Sequence, residues 1–247
     1  MSNLIEVRNV SKAFGGVVAN DSISIDVPEG QITGLIGPNG SGKTTLFNSI
    51  VGYHPIDSGS IRFKGEEISN YKVQQIARLG MLRTFQQTRI YANMNCIDNM
   101  LISVPHRNAT FFDMFKPYPH ELYDKAESLL EFVGLYTKRK LPSGDLSFGQ
   151  QKLLEFAMAL MNEPEVLLLD EPTAGINPTL INGLIDRLKR ANTEFGITLF
   201  VIEHNMRVIM NMADTIYCLA HGELLASGKP ADIQNDQRVI DAYLGAH

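Results

Sequence analysis

The sequence predicts an α/β protein, a core of alternating strands and helices with a helical subdomain inserted into it. Three observations carry this. The last third holds near-continuous apolar runs ending in acids or histidine, EVLLLDEP and ITLFVIEH, the pattern of buried parallel strands. A glycine-rich turn, GPNGSGKT, stands between the apolar run QITGLIG and the helical run KTTLFNSIVG. Residues from about 87 to 161 change character, with amphipathic helical patterns around an aromatic, proline-broken loop.

Taken in order, LIEVRNV and SISIDV alternate apolar and polar residues and read as half-buried strands, and Pro28, Glu29 and Gly30 mark a turn. QITGLIG reads as a buried strand, and SIRFKGEEI as one further short strand after Ser58-Gly59. NCIDNMLISV and ELYDKAESLLEFVGL have helical spacing. Between them lies HRNATFFDMFKPYPH, broken by Pro117 and Pro119. In LSFGQQKLLEFAMALM the apolar residues Leu153, Phe156, Ala157, Leu160 and Met161 recur at helical spacing, with Ser147 placed as N-cap. TIYCLA and ELLASG flank a hairpin turn at His221-Gly222, and DQRVIDAYL closes the chain as a short helix.

Bulk composition narrows the function classes. With 44% hydrophobic and 20% charged residues, 247 residues can bury a sizeable core and do not read as disordered or fibrous. A net charge of −5 predicts no general nucleic-acid footprint. Cys96 and Cys218 lie far apart with no metal spacing and are expected to be reduced thiols. No run approaches the about 18 apolar residues of a membrane span, and the start lacks a signal-peptide pattern. The chain is expected not to cross a membrane by itself, although it can sit on a protein that does.

The chemistry concentrates at a few positions. Gly37 to Thr44 match the phosphate-loop pattern, in which Gly37, Gly40 and Gly42 permit a backbone that turns several N–H groups toward an anion. Pro38, Asn39 and Ser41 complete the loop, and the following helix adds its positive end. Lys43 is expected to reach the β- and γ-phosphates, the Thr44 hydroxyl to ligate Mg²⁺, and Thr45 to help hold the phosphates. At the end of EVLLLDEP, Asp170 fits a Mg²⁺-linked role, and Glu171 can act as general base on a water in line with the γ-phosphate. This pair of acids could instead simply end a strand before a proline turn. His204, at the end of ITLFVIEH, is either a structural histidine or a contact to the γ-phosphate. Gln86, where the core gives way to the insertion, is either a surface amide or a contact to the metal and its water. The head of the LSFGQQ helix offers Ser147 and free amides to an anion.

Together these residues resemble the ATP-binding cassette subunits of ABC transporters, over essentially the whole chain: Phe14, the phosphate loop, Gln86, LSFGQ, VLLLDEP and His204, in the family's order. The resemblance implies a P-loop NTPase cassette with a RecA-like core, an N-terminal antiparallel β subdomain and an inserted α-helical subdomain. The core would span about 1–86 and 162–247, and the helical subdomain about 87–161. It implies ATP and Mg²⁺ as ligands, Phe14 stacked on adenine, and metal contacts from Thr44, Gln86 and Asp170. Two subunits would meet head to tail, with Ser147, Gly149 and Gln150 of one facing the ATP held by the other. Phe148 replaces the middle residue, a glycine, of the commoner LSGGQ, and Asn177 in AGINP replaces a usual aspartate.

More narrowly, IARLGMLRTFQ, LSFGQQKLLEFAMAL, DEPTAGINP, VIEHNM and DAYLG are similar to branched-chain amino acid importers, to the longer of that system's two ATPases. Urea importers and lipopolysaccharide exporters share several of these stretches. The implied partners are a second cassette, identical or different, two transmembrane permeases and, indirectly, a solute-binding protein, with no nucleic acid. The implied place is the cytoplasmic face of the inner (plasma) membrane. Phe111, Phe112 and Phe115 would either form a small satellite core or join a permease-docking surface. A soluble ABC ATPase acting on DNA or ribosomes is the rival outside transport.

Overall fold

A computed structural model of the chain describes residues 2–84, 90–104 and 118–244. It divides into two compact units, one of Met1–Arg83, Glu165–Pro172 and Leu188–His247, the other of Thr84–Pro164 and Thr173–Arg187.

Among the described residues the first unit carries two sheets. In the first, β1 (Asn3–Phe14) pairs antiparallel with β2 (Val17–Pro28) on one side and with β4 (Ser58–Phe63) on the other. Alternation along β1 buries Ile5 and Val7 and leaves Glu6 and Arg8 at the surface, where Arg8 pairs with Asp26 at 2.7 Å. The stretch expected as one strand, SIRFKGEEI, is a hairpin. Lys64 and Gly65 both take positive φ, 55° and 77°, and turn the chain into the two-residue β5 (Glu66–Glu67).

The second sheet has the order β10-β9-β3-β8-β7-β6. Its strands are β3 (Ile32–Ile36), β6 (Met81–Arg83), β7 (Val166–Asp170), β8 (Thr198–Ile202), β9 (Thr215–Ala220) and β10 (Glu223–Gly228). All neighbours run parallel except β10, which returns antiparallel to β9 through the expected turn, with His221 at φ 50° and Gly222 at 83°. Every residue of β3, β7 and β8 is buried, which is why those segments read as continuous apolar runs instead of alternating ones. The short β6 carries no comparable run, and only pairing with β7 makes it a strand.

Helix α1 (Lys43–Ile50) belongs to the core. Leu46, Phe47 and Ile50 are fully buried and share one apolar cluster with Ile5, Val7 and Ile25 of the first sheet and Leu35, Leu168 and Phe200 of the second. The Phe47 and Phe200 rings lie 4.6 Å apart, within the range of favourable aromatic contact. Parallel strands bring the C-terminal ends of β3, β6, β7 and β8 to one edge of the sheet, the edge where open α/β sheets bind ligands.

The rest of the first unit adds α2 (Val73–Arg78), α7 (Met206–Met212), α8 (Pro230–Gln234) and α9 (Gln237–Leu244). The second unit contains α3 (Cys96–Ile102), α4 (His120–Phe132) and α5 (Phe148–Leu160). Asn95 caps α3 by accepting the Asp98 N–H at 2.8 Å. Fully buried Asn99 donates to the Ser143 hydroxyl at 3.0 Å and so pins the turn leading into α5. Helix α6 (Pro178–Phe195) begins in this unit and ends in the other. Among the described residues no helix is long and apolar enough to cross a membrane.

Candidate functional site

The loop after β3 has the backbone its glycines require. Gly37, Gly40 and Gly42 take φ of 145°, 77° and 98°. A Cβ at Gly37 would sit 2.1 Å from the Leu219 carbonyl oxygen, and one at Gly42 would sit 2.2 Å from that of Ala19, so both places are closed to any other residue. Asn39 and Gly40 form the exposed tip, whereas Ser41 and Lys43 are buried. Lys43 Nζ donates to the Gly37 and Pro38 carbonyls at 2.7 and 2.9 Å. The Ser41 hydroxyl, 2% exposed, has no hydrogen-bond partner among the described residues. A lysine curled over its own loop and a buried orphan hydroxyl make a cradle suited to an anion rich in acceptors. Burial pushes the Lys43 ammonium below its ordinary value, and the Glu171 and Asp170 carboxylates pull it back. Thr44 is exposed at the head of α1, and Thr45 beside it is half-buried.

Asp170 ends β7 and is 5% exposed. Its Oδ2 accepts from Arg83 at 2.6 Å, in a pair whose side chains are 7% and 6% exposed. Arg83 also donates to Asn48 Oδ1 and lies 5.8 Å from the Phe47 ring centre. Asn48 stands four residues after Thr44, on the same face of α1. The sequence analysis assigns Arg83 no role. A charged residue closing the apolar run MLR was the available signal.

Glu171 takes a left-handed backbone, φ 49°, uncommon for a residue with a side chain. Its N–H donates to the Ile202 carbonyl at 3.0 Å, which ties the turn after β7 to the end of β8. The Glu171 carboxylate comes 3.5 Å from His204 Nδ1, with the histidine ring half exposed and the carboxylate mostly covered. The sheet edge therefore gathers the phosphate loop, Asp170, Glu171 and His204 in one unit, from three separate stretches of sequence.

Phe14 ends β1 half exposed, edge-on to His54 with ring centres 5.1 Å apart. Lys12 Nζ lies over the ring, 5.3 Å from its centre. Gln86 lies outside the described residues, as do Phe111, Phe112 and Phe115.

Ser147, Gly149 and Gln150 belong to the second unit. Ser147 is the N-cap of α5: its hydroxyl accepts the Gln150 N–H at 3.4 Å, and Gln150 Oε1 accepts the Ser147 N–H at 3.2 Å. Lys138 Nζ donates to the same Gln150 oxygen at 3.0 Å. Ser147 is exposed and Gly149 buried, where a Cβ would press on Leu180 at 3.3 Å. Phe148, half exposed, lies against Gly175.

Tyr243 was not legible beforehand. From α9 its hydroxyl accepts the Gly37 N–H at 2.8 Å, across 206 residues of sequence.

A family model described as ABC transporter matches residues 20–174. One described as branched-chain amino acid ATP-binding cassette transporter matches residues 223–247. The chain is 36% identical to the high-affinity branched-chain amino acid transport ATP-binding protein BraF of Pseudomonas aeruginosa, over 98% of each chain. It is also 36% identical to a probable branched-chain amino acid transport ATP-binding protein, LivG, of Archaeoglobus fulgidus, over 98% of this chain and 96% of that one. A solved ATP-binding cassette of an ABC transporter, in its ADP conformation, is similar with a TM-score of 0.89 at 32% identity, over 99% of this chain and 100% of the other.

Proposed function

The chain belongs to the ABC transporter family, and from that premise we propose that it is the ATP-hydrolysing subunit of an importer for branched-chain or other hydrophobic amino acids. The observation that carries the chemistry is the sheet edge that joins the phosphate loop to Asp170, Glu171 and His204. The amino acid assignment rests on the relatives' names and on the match at residues 223–247.

In this reading the loop amides, Lys43 and Thr45 bind the ATP phosphates, and Phe14 stacks on adenine. The Thr44 hydroxyl and the Asp170 carboxylate are hard oxygen donors, the kind that hold Mg²⁺ beside phosphate oxygens, and Gln86 completes the set. Bound there, Mg²⁺ would neutralise charge on the phosphates. Glu171, held by its turn and facing His204, takes a proton from the attacking water. The water oxygen bonds to the γ-phosphorus as the bond to ADP breaks, and His204 contacts the γ-phosphate. Ser147, Gly149 and Gln150 of a second cassette close over the same nucleotide. Binding and hydrolysis belong to the core, about 1–86 and 162–247. The helical segment, about 87–161, passes the motion to two membrane permeases, with a solute-binding protein acting beyond them. In this reading the chain works at the inner membrane's cytoplasmic face, held there by its partners.

Glu171→Gln tests the chemistry. ATP binding should persist while turnover falls by about two to four orders of magnitude, the share of a general base. Near-normal turnover would remove Glu171 from that role. Purification from native membranes tests the transport half, with two hydrophobic permeases expected to accompany the chain.

A further inference from the structure

Gly37, the first residue of the phosphate loop, is held through both of its backbone polar groups. Its carbonyl accepts from Lys43 Nζ at 2.7 Å, and the Gly37 N–H donates to the Tyr243 hydroxyl at 2.8 Å. Gly37 also has little freedom to settle elsewhere. Gly37 sits at φ 145°, on the buried end of β3, closely packed against the Leu219 carbonyl and the Ser41 hydroxyl. A buried N–H in that place needs an acceptor, and Tyr243 supplies it.

The helix that brings Tyr243 is anchored near the other functional stretch. Val239 is 2% exposed. An apolar cavity of about 240 Å³ is lined by Met206, Ile233, Val239, Ile240, Tyr243 and Leu244. Met206 opens α7 two residues after His204. Helix α9 thus meets the phosphate loop through a hydrogen bond and lines one apolar cavity together with the start of α7. Burial pushes the Tyr243 phenol up to about 12, so the hydroxyl stays a neutral acceptor at any working pH.

We propose that Tyr243 is a positioning residue for nucleotide binding, fixing Gly37 so that Lys43 and the loop amides stand ready for the phosphates. It touches no reacting atom and acts through Gly37. Tyr243 lies inside the stretch matched by the branched-chain amino acid cassette model and outside the general ABC match. The inference rests on reading the loop as the nucleotide site.

The test is Tyr243→Phe, which removes one oxygen and keeps the ring. Titration calorimetry with ADP and steady-state ATPase kinetics are run on the unaltered chain, on Y243F and on Lys43→Ala. Loss of one oriented hydrogen bond should weaken ADP binding about three- to tenfold. KM for ATP should rise by a similar factor, more than any fall in kcat. The upward shift in melting temperature produced by saturating ADP should shrink in step. A merely structural tyrosine would lower the melting temperature of the ligand-free protein and leave the ADP affinity alone, and that result would overturn the proposal. If Lys43→Ala abolishes binding and Y243F binds ADP within twofold of the unaltered chain, only the role of Tyr243 falls. If the unaltered chain itself binds no ADP, the nucleotide-site reading falls, and this inference falls with it.

Discussion

Arg83→Met probes the interaction that fastens the acid end of β7 to the core. The guanidinium holds Asp170 Oδ2 at 2.6 Å and Asn48 Oδ1, with both charged side chains under 8% exposed. Methionine keeps most of the stem's volume and removes the charge. Asp170 is then a buried carboxylate without its counter-charge, and breaking such a pair from one side costs about 3–5 kcal/mol. Folded domains have only ~5–15 kcal/mol in hand, so the loss is a large fraction of the total. With a urea slope of ~2–3 kcal/mol per molar, the unfolding midpoint should fall by about 1–2.5 M. Asp170→Asn in the same background removes the orphaned charge. The double variant should therefore be more stable than the sum of the single losses predicts, by up to ~3 kcal/mol. Equilibrium urea unfolding, followed by circular dichroism, measures all four proteins. A midpoint for Arg83→Met within a few tenths of a molar of the original, or strictly additive losses, would refute the claim that the pair is buried and coupled.

The proposed composite site predicts complementation: inactive Lys43→Ala and inactive Ser147→Ala chains, mixed and allowed to exchange, should recover ATPase activity, because each mixed dimer contains one site with both residues intact. Absence of recovery would count against Ser147 acting across a dimer. On the strand that ends at Phe14, Lys12 Nζ and the Ala13 N–H donate to Asp57 at 2.8 and 2.6 Å, and these bonds hold its carboxyl below the ordinary carboxylate value. A depressed folded-state pKa contributes stability that is present above the unfolded pKa of about 3.9 and is lost as pH falls through the folded value. The difference in melting temperature between the unaltered chain and Asp57→Asn should therefore be largest near neutrality and close on acidification below about pH 4. A difference that does not change with pH would show the carboxylate charge to be immaterial there.

Features governed by neighbouring residues were legible in the sequence. Glycine spacing specified the phosphate loop because positive φ and close backbone approach are properties of single residues, as Gly37 and Gly42 bear out. The Ser147 cap was readable because its partner, Gln150, is three positions away. The strands β7 and β8 were readable because burial on both faces leaves a continuous apolar run. The hairpin within SIRFKGEEI was read as one strand because Lys64 at positive φ is unusual for its residue type. Helix α6, with its amphipathic stripe, could have been found by the same periodicity that marked α4.

What the sequence by itself determined, then, is the set of chemical groups, the local turns that aim them and the apolar segments that must be buried. Only the tertiary structure decided which of those groups share a site. Arg83 meets Asp170 across 87 residues and Gly37 meets Tyr243 across 206, each by a single hydrogen-bonded contact. Such contacts depend on loop closure and on the packing of whole strands and helices, and that information is spread over the chain. The parallel register of β3, β8 and β7 is the step that turns separate stretches into one edge. It is set by burying the apolar faces of the entire sheet, so no motif taken alone can announce it.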